Sequence, residues 1–448
     1  MSLPYRDAFA QIEKRSDFGR GFISDPFWGD EAARLGLRRM DALLDGLGRP
    51  ERQYPIIHVA GSKGKGSTCA FAASILSAAG FRVGLTMSPH LHTFRERIVS
   101  SGAMISEEAF ATLLVRVESQ ATALERQRPE IGRFTAFELL TAMALDHFAA
   151  VSCDVAVVEV GMGGALDSTN VIIPTVSVIT TLDYEHTAVL GSTLSEIAGN
   201  KAGIIKPGCP VVVAEQQADA LGVINAAARR NDAPLWIAGR DWDVEGDWRR
   251  FTARGPWGAL RELRSGIAGD HQMGNAALAL AAVTASGSTL SVPAAAARDG
   301  IGMAALPGRF EVVNVDGHTM VLDGAHTPLA ATALTATFQE AFVGQRAVLV
   351  LGMAGDKPAE EIAAALAPVA EVVVATYSAS PRAMETSRIV EAFHSHTATV
   401  HEGDGIAAAL DTARWLAGSE NPILVAGSFN VVAEAREVLG LAEAGGTP

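Results

Sequence analysis

Three cysteines, Cys69, Cys153 and Cys209, are all that the 448 residues contain. They are far apart, odd in number and form no C-x-x-C pair. That excludes a disulfide scaffold and a thiolate zinc site, and it suits a reducing cytosol. No apolar run approaches the ~18 residues of a membrane span. The opening stretch, MSLPYRDAFAQIEKRSDFGR, carries no apolar signal-peptide core. These absences predict a cytoplasmic protein with no membrane partner. Basic residues are in deficit: 36 Lys and Arg stand against 50 Asp and Glu, for a net charge of −14. Such a chain is a poor candidate for coating nucleic acid, and an anionic ligand must meet basic groups placed locally.

What is present is apolar surface and glycine. Hydrophobic residues make up 48%, enough to bury a full core and to exclude wholesale disorder. At about 150 residues per domain the length allows two or three domains. The 44 glycines, with abundant Ala and Val, point to an α/β protein with glycine-rich loops.

Periodicity orders the chain. The stretch to Pro50 reads helical, with Leu35, Leu37, Met40, Leu43 and Leu44 at helical spacing and Gly46 and Gly48 ending the run. Residues 54–60 read as a buried strand, 68–79 as a helix and 81–86 as a strand, which together make a βαβ unit. Helix is predicted again over 136–149 and 271–285. Strands are predicted over 155–160 and 176–180, and a parallel sheet covered on both faces follows. Residues 236–264, with Trp236, Trp242, Trp248 and Trp257, predict a β excursion or an exposed loop region. A domain boundary is expected near 304. Beyond it strands are predicted at 320–322, 347–351, 371–376 and 423–426, a second Rossmann-like domain with ligands at strand ends.

Four constellations carry chemistry. Gly61-Ser62-Lys63-Gly64-Lys65-Gly66-Ser67 lies between a strand and a helix, where inward-turned N–H groups cradle phosphates and Lys65 adds a point charge. The generic G-x-x-x-x-G-K-[ST] pattern does not match: Val59 replaces its first Gly, and Gly66 separates Lys65 from Ser67. Glu159 ends an apolar strand before Gly161-Met-Gly-Gly164. It reads equally as a Mg²⁺ ligand or as a carboxylate that caps a helix or pairs with Arg. His186 follows a sheet strand, as a metal ligand or a hydrogen-bonded structural histidine, and Lys201 adjoins a packed Ala-Gly-Ile-Ile run. Arg309, in a Pro-Gly-Arg turn, and Asp323 with His326 at a strand end could meet a nucleotide's phosphates and ribose, or form salt bridges and turns. His58 and Cys69 read as core residues, and His394, His396 and His401 as solvated side chains.

In order along the chain, these segments resemble the folylpolyglutamate synthase family, including bifunctional dihydrofolate synthases, within the Mur ligases. The resemblance rests on 58–68 (HVAGSKGKGST), 88–91 (SPHL) with 96–98 (ERI), 135–138 (TAFE), 159–164 (EVGMGG), 166–170 (LDSTN), 186–191 (HTAVLG), 201–208 (KAGIIKPG), 271–275 (HQMGN), 307–311 (PGRFE), 323–326 (DGAH) and 356–357 (DK). The family's phosphate loop carries the extra Gly after its Lys.

The resemblance implies an N-terminal P-loop domain over 1–304 and a smaller C-terminal ligase domain over 305–448, with ATP in the cleft. It implies a monomer using ATP and Mg²⁺ to add L-glutamate to tetrahydrofolate or dihydropteroate through an acyl phosphate. By match, Ser88, Glu159 and His186 ligate Mg²⁺, and Lys201 is carbamylated. Lys65, His186 and Lys201 act in catalysis. The 61–67 loop, Asn275, Arg309, Asp323 and His326 bind ATP. Phe134, Thr135, Ala136 and Phe137, with Leu166, Asp167 and Ser168, hold the pteroate. Three residues depart from the family: Asn200 for Glu, Thr327 for Asn, and Glu185 for the Asp before the histidine. Two rival readings remain, a Mur-type ligase for another carboxylate and a non-catalytic nucleotide-binding regulator.

Overall fold

The computed structural model describes residues 4–15, 29–396, 399–418 and 421–442. The chain divides into two compact units. One is drawn from residues up to Gly266 and from Met273–Ala304, the other from Ile267–Gln272 and from Ala305 onward.

The first unit is built on an eight-stranded sheet. Its strands are β1 (Ile56–Ala60), β2 (Val83–Thr86), β3 (Val99–Ser100), β4 (Ala103–Met104), β5 (Val155–Glu159), β6 (Val176–Ile179), β7 (Val211–Val213) and β8 (Leu235–Ile237), in the order β4-β3-β2-β5-β1-β6-β7-β8. Among the described residues the β2–β3 and β3–β4 pairs are antiparallel and the other pairs of this sheet are parallel. β1 and β5 are buried along their whole length, which is why both read as apolar runs interrupted only by His58 and Glu159. Their parallel register sets Glu159 opposite Val59, so the carboxylate and the glycine loop leave the sheet at the same edge. The helix expected from Thr68 begins three residues earlier, at Lys65, because Gly64 takes a left-handed cap (φ 85°) that only glycine adopts without strain. The helix Ala136–Ala150 starts at a reciprocal cap between Thr135 and Glu138.

The tryptophan-rich stretch forms a three-stranded antiparallel sheet of β9 (Asp243–Asp247), β10 (Arg250–Gly255) and β11 (Gly258–Leu263). Its charges pair across strands, Arg250 with Glu262 at 2.7 Å and Arg254 with Glu245 at 2.6 Å. The second unit carries β12 (Glu311–Val315), β13 (His318–Leu322), β14 (Ala347–Leu351), β15 (Ala370–Ala375), β16 (Thr399–Glu402) and β17 (Ile423–Ala426), ordered β12-β13-β17-β14-β15-β16. β12 is antiparallel to β13 and the rest run parallel. Helices such as Pro328–Ala341 and Ala359–Leu366 bury apolar faces against this sheet.

His58 lies inside β1 with no exposed surface. Its Nε2 meets Thr169 Oγ1 at 2.8 Å, while Nδ1 has no partner. Burial, with help from Lys206, pushes its pKa down to about 3. The unfolded chain takes up this proton near the ordinary value of 6.5 and the folded chain does not. The contribution to stability is therefore complete above pH 6.5 and is lost as pH falls toward 3, at up to about 1.4 kcal/mol per pH unit. His90, half-buried and held at about 3, acts in the same direction. The urea midpoint is expected to fall steeply between pH 6.5 and 4, and His58→Gln should flatten that slope. An unchanged slope in the variant would assign acid lability elsewhere.

Candidate active site

The glycine loop closes on itself. Gly61 (φ 153°) sits so near Thr180 that a Cβ there would lie 1.7 Å from Thr180 Oγ1. A Cβ on Gly64 would come within 2.4 Å of Asn275 Oδ1, so the loop and Asn275 occupy one place. Lys65 Nζ donates to Gly61 O at 2.9 Å. Lys201 Nζ donates to the same carbonyl at 2.8 Å and to Glu185 Oε1 at 2.8 Å. Two ammonium groups thus share one carbonyl beside a helix start, whose first N–H groups have no intrahelical acceptor.

The backbone amides of Ser62 and Lys63 are engaged within the protein. Their amides donate to Thr181 O at 3.1 and 3.0 Å, and Ser62 Oγ donates to Asp183 O at 2.9 Å. They tie the loop's stem to the end of β6, and their backbone N–H groups are spent there. The first-turn amides of Lys65, Gly66 and Ser67 remain the ones suited to an anion.

Lys201 is 1% exposed. Burial lowers its pKa to about 8 against the opposing pull of Glu185. Burial alone would raise Glu185, but Lys65 and Lys201 outweigh it and hold the carboxyl below its ordinary value. His186 follows directly, in a left-handed conformation (φ 47°) at the start of the short helix Thr187–Leu190. Partial burial and the fields of Lys201, Lys65 and Lys63 hold its imidazole below 6.5, against Glu185. A neutral ring is the form that ligates a metal.

Glu159 is buried at the end of β5, and its Oε2 accepts the Ser88 N–H at 2.8 Å. The loop that follows Ser88 is tied down by Glu96, which accepts from the amides of Leu91, His92 and Thr93 at 2.8, 2.7 and 2.9 Å. Ser88 and Glu159 are hard oxygen donors set side by side. Among the described residues no cluster of three or more His, Cys, Asp or Glu side chains forms a self-sufficient metal cage. That donor set fits Mg²⁺, which binds through one or two carboxylates and completes its shell with phosphate oxygens and water.

The matches to known families fall on these segments. Residues 59–283 match the Mur ligase middle domain, and residues 308–429 match the Mur ligase glutamate ligase domain. A dihydrofolate synthase/folylpolyglutamate synthase of Bacillus subtilis is 34% identical over 450 residues, covering 98% of this chain and all (100%) of the relative. The chain belongs to the folylpolyglutamate/dihydrofolate synthase family of Mur ligases. Among solved members, Mycobacterium tuberculosis folylpolyglutamate synthase complexed with ADP is 32% identical with a TM-score of 0.86, covering 97% of this chain and 99% of that one. Escherichia coli FolC in complex with DHPP and ADP is 31% identical with a TM-score of 0.83, covering 98% of each chain.

Against this synthase family, the two expected acceptor segments split by burial. Phe134 (2% exposed) and Ala136 (5%) pack in the core, and Thr135 caps the helix. Phe137 alone turns toward the site: its ring tip stands where a Cβ on Gly161 would come within 2.5 Å. Asp167 is buried and accepts from Met162 N at 2.9 Å, Thr169 N at 2.9 Å and Thr169 Oγ1 at 2.6 Å. Its carboxylate folds the turn after Glu159, while the half-buried Leu166 and Ser168 flank it.

In the second unit Asp323 accepts from Phe310 N at 2.7 Å and Ala325 N at 2.8 Å, stapling the Arg309 turn to the end of β13. Burial raises its carboxyl against the pull of Arg309. The Arg309 guanidinium stacks 4.2 Å from the Phe429 ring centroid, and His326 Nδ1 lies 2.7 Å from Gly324 O.

Residues that sequence reasoning passed over are Thr180, Thr181, Glu96 and Arg97. Glu96 and Arg97 lay inside a family motif with no chemistry attached to them. The threonines follow β6, and only their closeness to Gly61 in space marks them.

Proposed function

We propose that this chain is an ATP-dependent ligase that joins L-glutamate to the carboxylate of a folate acceptor, acting as a cytoplasmic monomer. One observation carries the reading: the ammonium groups of Lys65 and Lys201 converge on Gly61 O at 2.9 and 2.8 Å at a helix start. Lys65 beside the first-turn amides makes a site for a polyphosphate, while the charge of Lys201 is balanced by Glu185.

A carboxylate is a poor electrophile. One of its oxygens attacks the γ-phosphorus, the bond to the bridging oxygen breaks, and ADP leaves. The amine of glutamate then attacks the acyl carbon, inorganic phosphate departs, and the amine's proton passes to solvent. Lys65 and the amides of residues 65–67 hold the phosphates, and Asn275 faces the loop. By match to the family, Arg309, Asp323 and His326 are proposed as nucleotide contacts. Phe137, Leu166 and Ser168 receive the acceptor, and Asp167 holds their turn in place. Ser88, Glu159 and His186 would hold Mg²⁺, which supplies neutralisation of the charge gathered between carboxylates and phosphates.

Relatives named for both activities and for folylpolyglutamate synthase alone match over most of this chain. The test is ATP-dependent phosphate release with dihydropteroate plus glutamate, with tetrahydrofolate plus glutamate, and with neither. Release with a folate and glutamate together supports the reading. Release only with an unrelated carboxylate moves the chain to another Mur-type ligase. Nucleotide binding without release under any condition makes it a regulator.

A further inference from the structure

Arg97 closes the short helical turn Phe94–Arg97 and is 6% exposed. A buried guanidinium is expensive unless its donors are used. Arg97 spends one: Nε donates to His90 Nδ1 at 2.9 Å. Its carbon end rests 5.8 Å from the Phe94 ring centroid, and the His90 ring packs on Phe94 at 4.7 Å. Among the described residues it forms no ion pair, although the field of Glu159 reaches it. Arg97 lines a small pocket together with Ser88, Glu159, Phe137 and Thr169. Burial lowers its pKa only to about 10, so it is charged at neutral pH.

The surroundings select the occupant. A flat, bidentate donor fork fits a carboxylate. Phe137 and the apolar Met87 and Leu140 line the same pocket, which suits the ring attached to the carboxylate of dihydropteroate and the methylene stem of the tetrahydrofolate glutamate. Opposite lies Glu159, which would repel an anion that arrived without a cation. We propose that the Arg97 guanidinium receives the reacting carboxylate of the folate acceptor and holds it beside Ser88 and Glu159. The turn that bears Arg97 is prepared for this. His90 fixes Nε, Phe94 supports the plane, and Glu96 ties the amides of residues 91–93, so the fork is oriented before the acceptor enters. This inference rests on the ligase reading.

The experiment compares equilibrium binding of dihydropteroate and of tetrahydrofolate with binding of the corresponding carboxamides, by calorimetry on the full chain without ATP. ADP affinity and melting temperature are measured in parallel. The wild-type protein is expected to prefer carboxylate over carboxamide by about ten- to hundredfold, the range of a charge-assisted hydrogen bond. Arg97→Gln should erase that preference with ADP affinity unchanged. Arg97→Lys keeps the charge without the fork, should retain part of the preference, and serves where the Gln variant fails to fold. Equal weakening of acid and amide, an intact preference in either variant, or a parallel fall in ADP affinity would overturn the assignment. A wild-type protein that binds neither folate would overturn the ligase reading instead.

Discussion

Lys65→Ala is expected to lower kcat/KM for ATP-dependent ligation about a thousandfold, the loss of a preorganised charge contact to the transferred phosphoryl group. The size follows from the position. The side chain rises from the first turn of the helix Lys65–Ala78, where the N–H groups already favour an anion, and its one hydrogen bond goes to Gly61 O. Lys65 is only partly buried and packs no core, so the melting temperature of the variant should stay within a few degrees of the wild type. Lys65→Arg keeps the charge but carries a broader head into a loop crowded by Thr180 and Asn275, and it should recover little. Near-normal turnover in the alanine variant, read by ADP formation, would remove the glycine loop from the mechanism.

Lys201→Ala is the second large effect, again about a thousandfold in turnover. Here the expectation is that the working side chain is a carbamate formed from CO₂. With a pKa lowered to about 8, a substantial fraction of Lys201 is neutral amine near physiological pH, and a neutral amine captures CO₂. As an ammonium it is satisfied by Glu185 and Gly61 O. As a carbamate it would face Glu185 as a like charge, so the modified form needs a cation nearby, and modification should rise when Mg²⁺ and nucleotide are supplied together. The sign with pH is fixed: below 8 the ammonium is locked to Glu185, so reactivation by bicarbonate should slow as pH falls and level off above 8. Labelled-bicarbonate NMR reports the carbamate directly. Short-chain carboxylates should partly restore Lys201→Ala. Full activity in strictly CO₂-free buffer, or rescue by Arg in place of Lys, would return Lys201 to the role of an unmodified cation.

Much of the fold was legible because buried parallel strands announce themselves. Residues 155–158 and 347–351 are apolar throughout and lie in sheet interiors. Less legible were the short strands. Val211–Val213 has three residues, Val99–Ser100 and Ala103–Met104 have two each, and runs so short carry no periodicity. The β9–β11 sheet read ambiguously because most of its residues face solvent and its pairing is between charges. In the site, the glycine loop, Glu159 and Lys201 were readable from residue type and place. Phe134 was not separable from Phe137, since two aromatics three apart look alike until one of them is seen to enter the core. That Thr181 O takes the amides of both Ser62 and Lys63 is not revealed by anything in the loop's composition. Arg97 lay inside a family motif with no chemistry attached to it, and only its burial against His90 distinguishes it.

The carbonyl of Gly61 also bears on how quickly and with what heat a nucleotide enters. With Lys65 parked on it, with Ser62 and Lys63 anchored to Thr181, and with Gly64 seated against Asn275, the loop is already shaped before anything binds. Arrival of a phosphate then trades one lysine hydrogen bond for another, so this lysine adds little net enthalpy, and the gain comes largely from water released off the phosphate and the ammonium. The glycine loop itself then needs no refolding on encounter, and its share of the association rate is set by local attraction of the lysines, in a molecule whose overall negative charge pushes the other way.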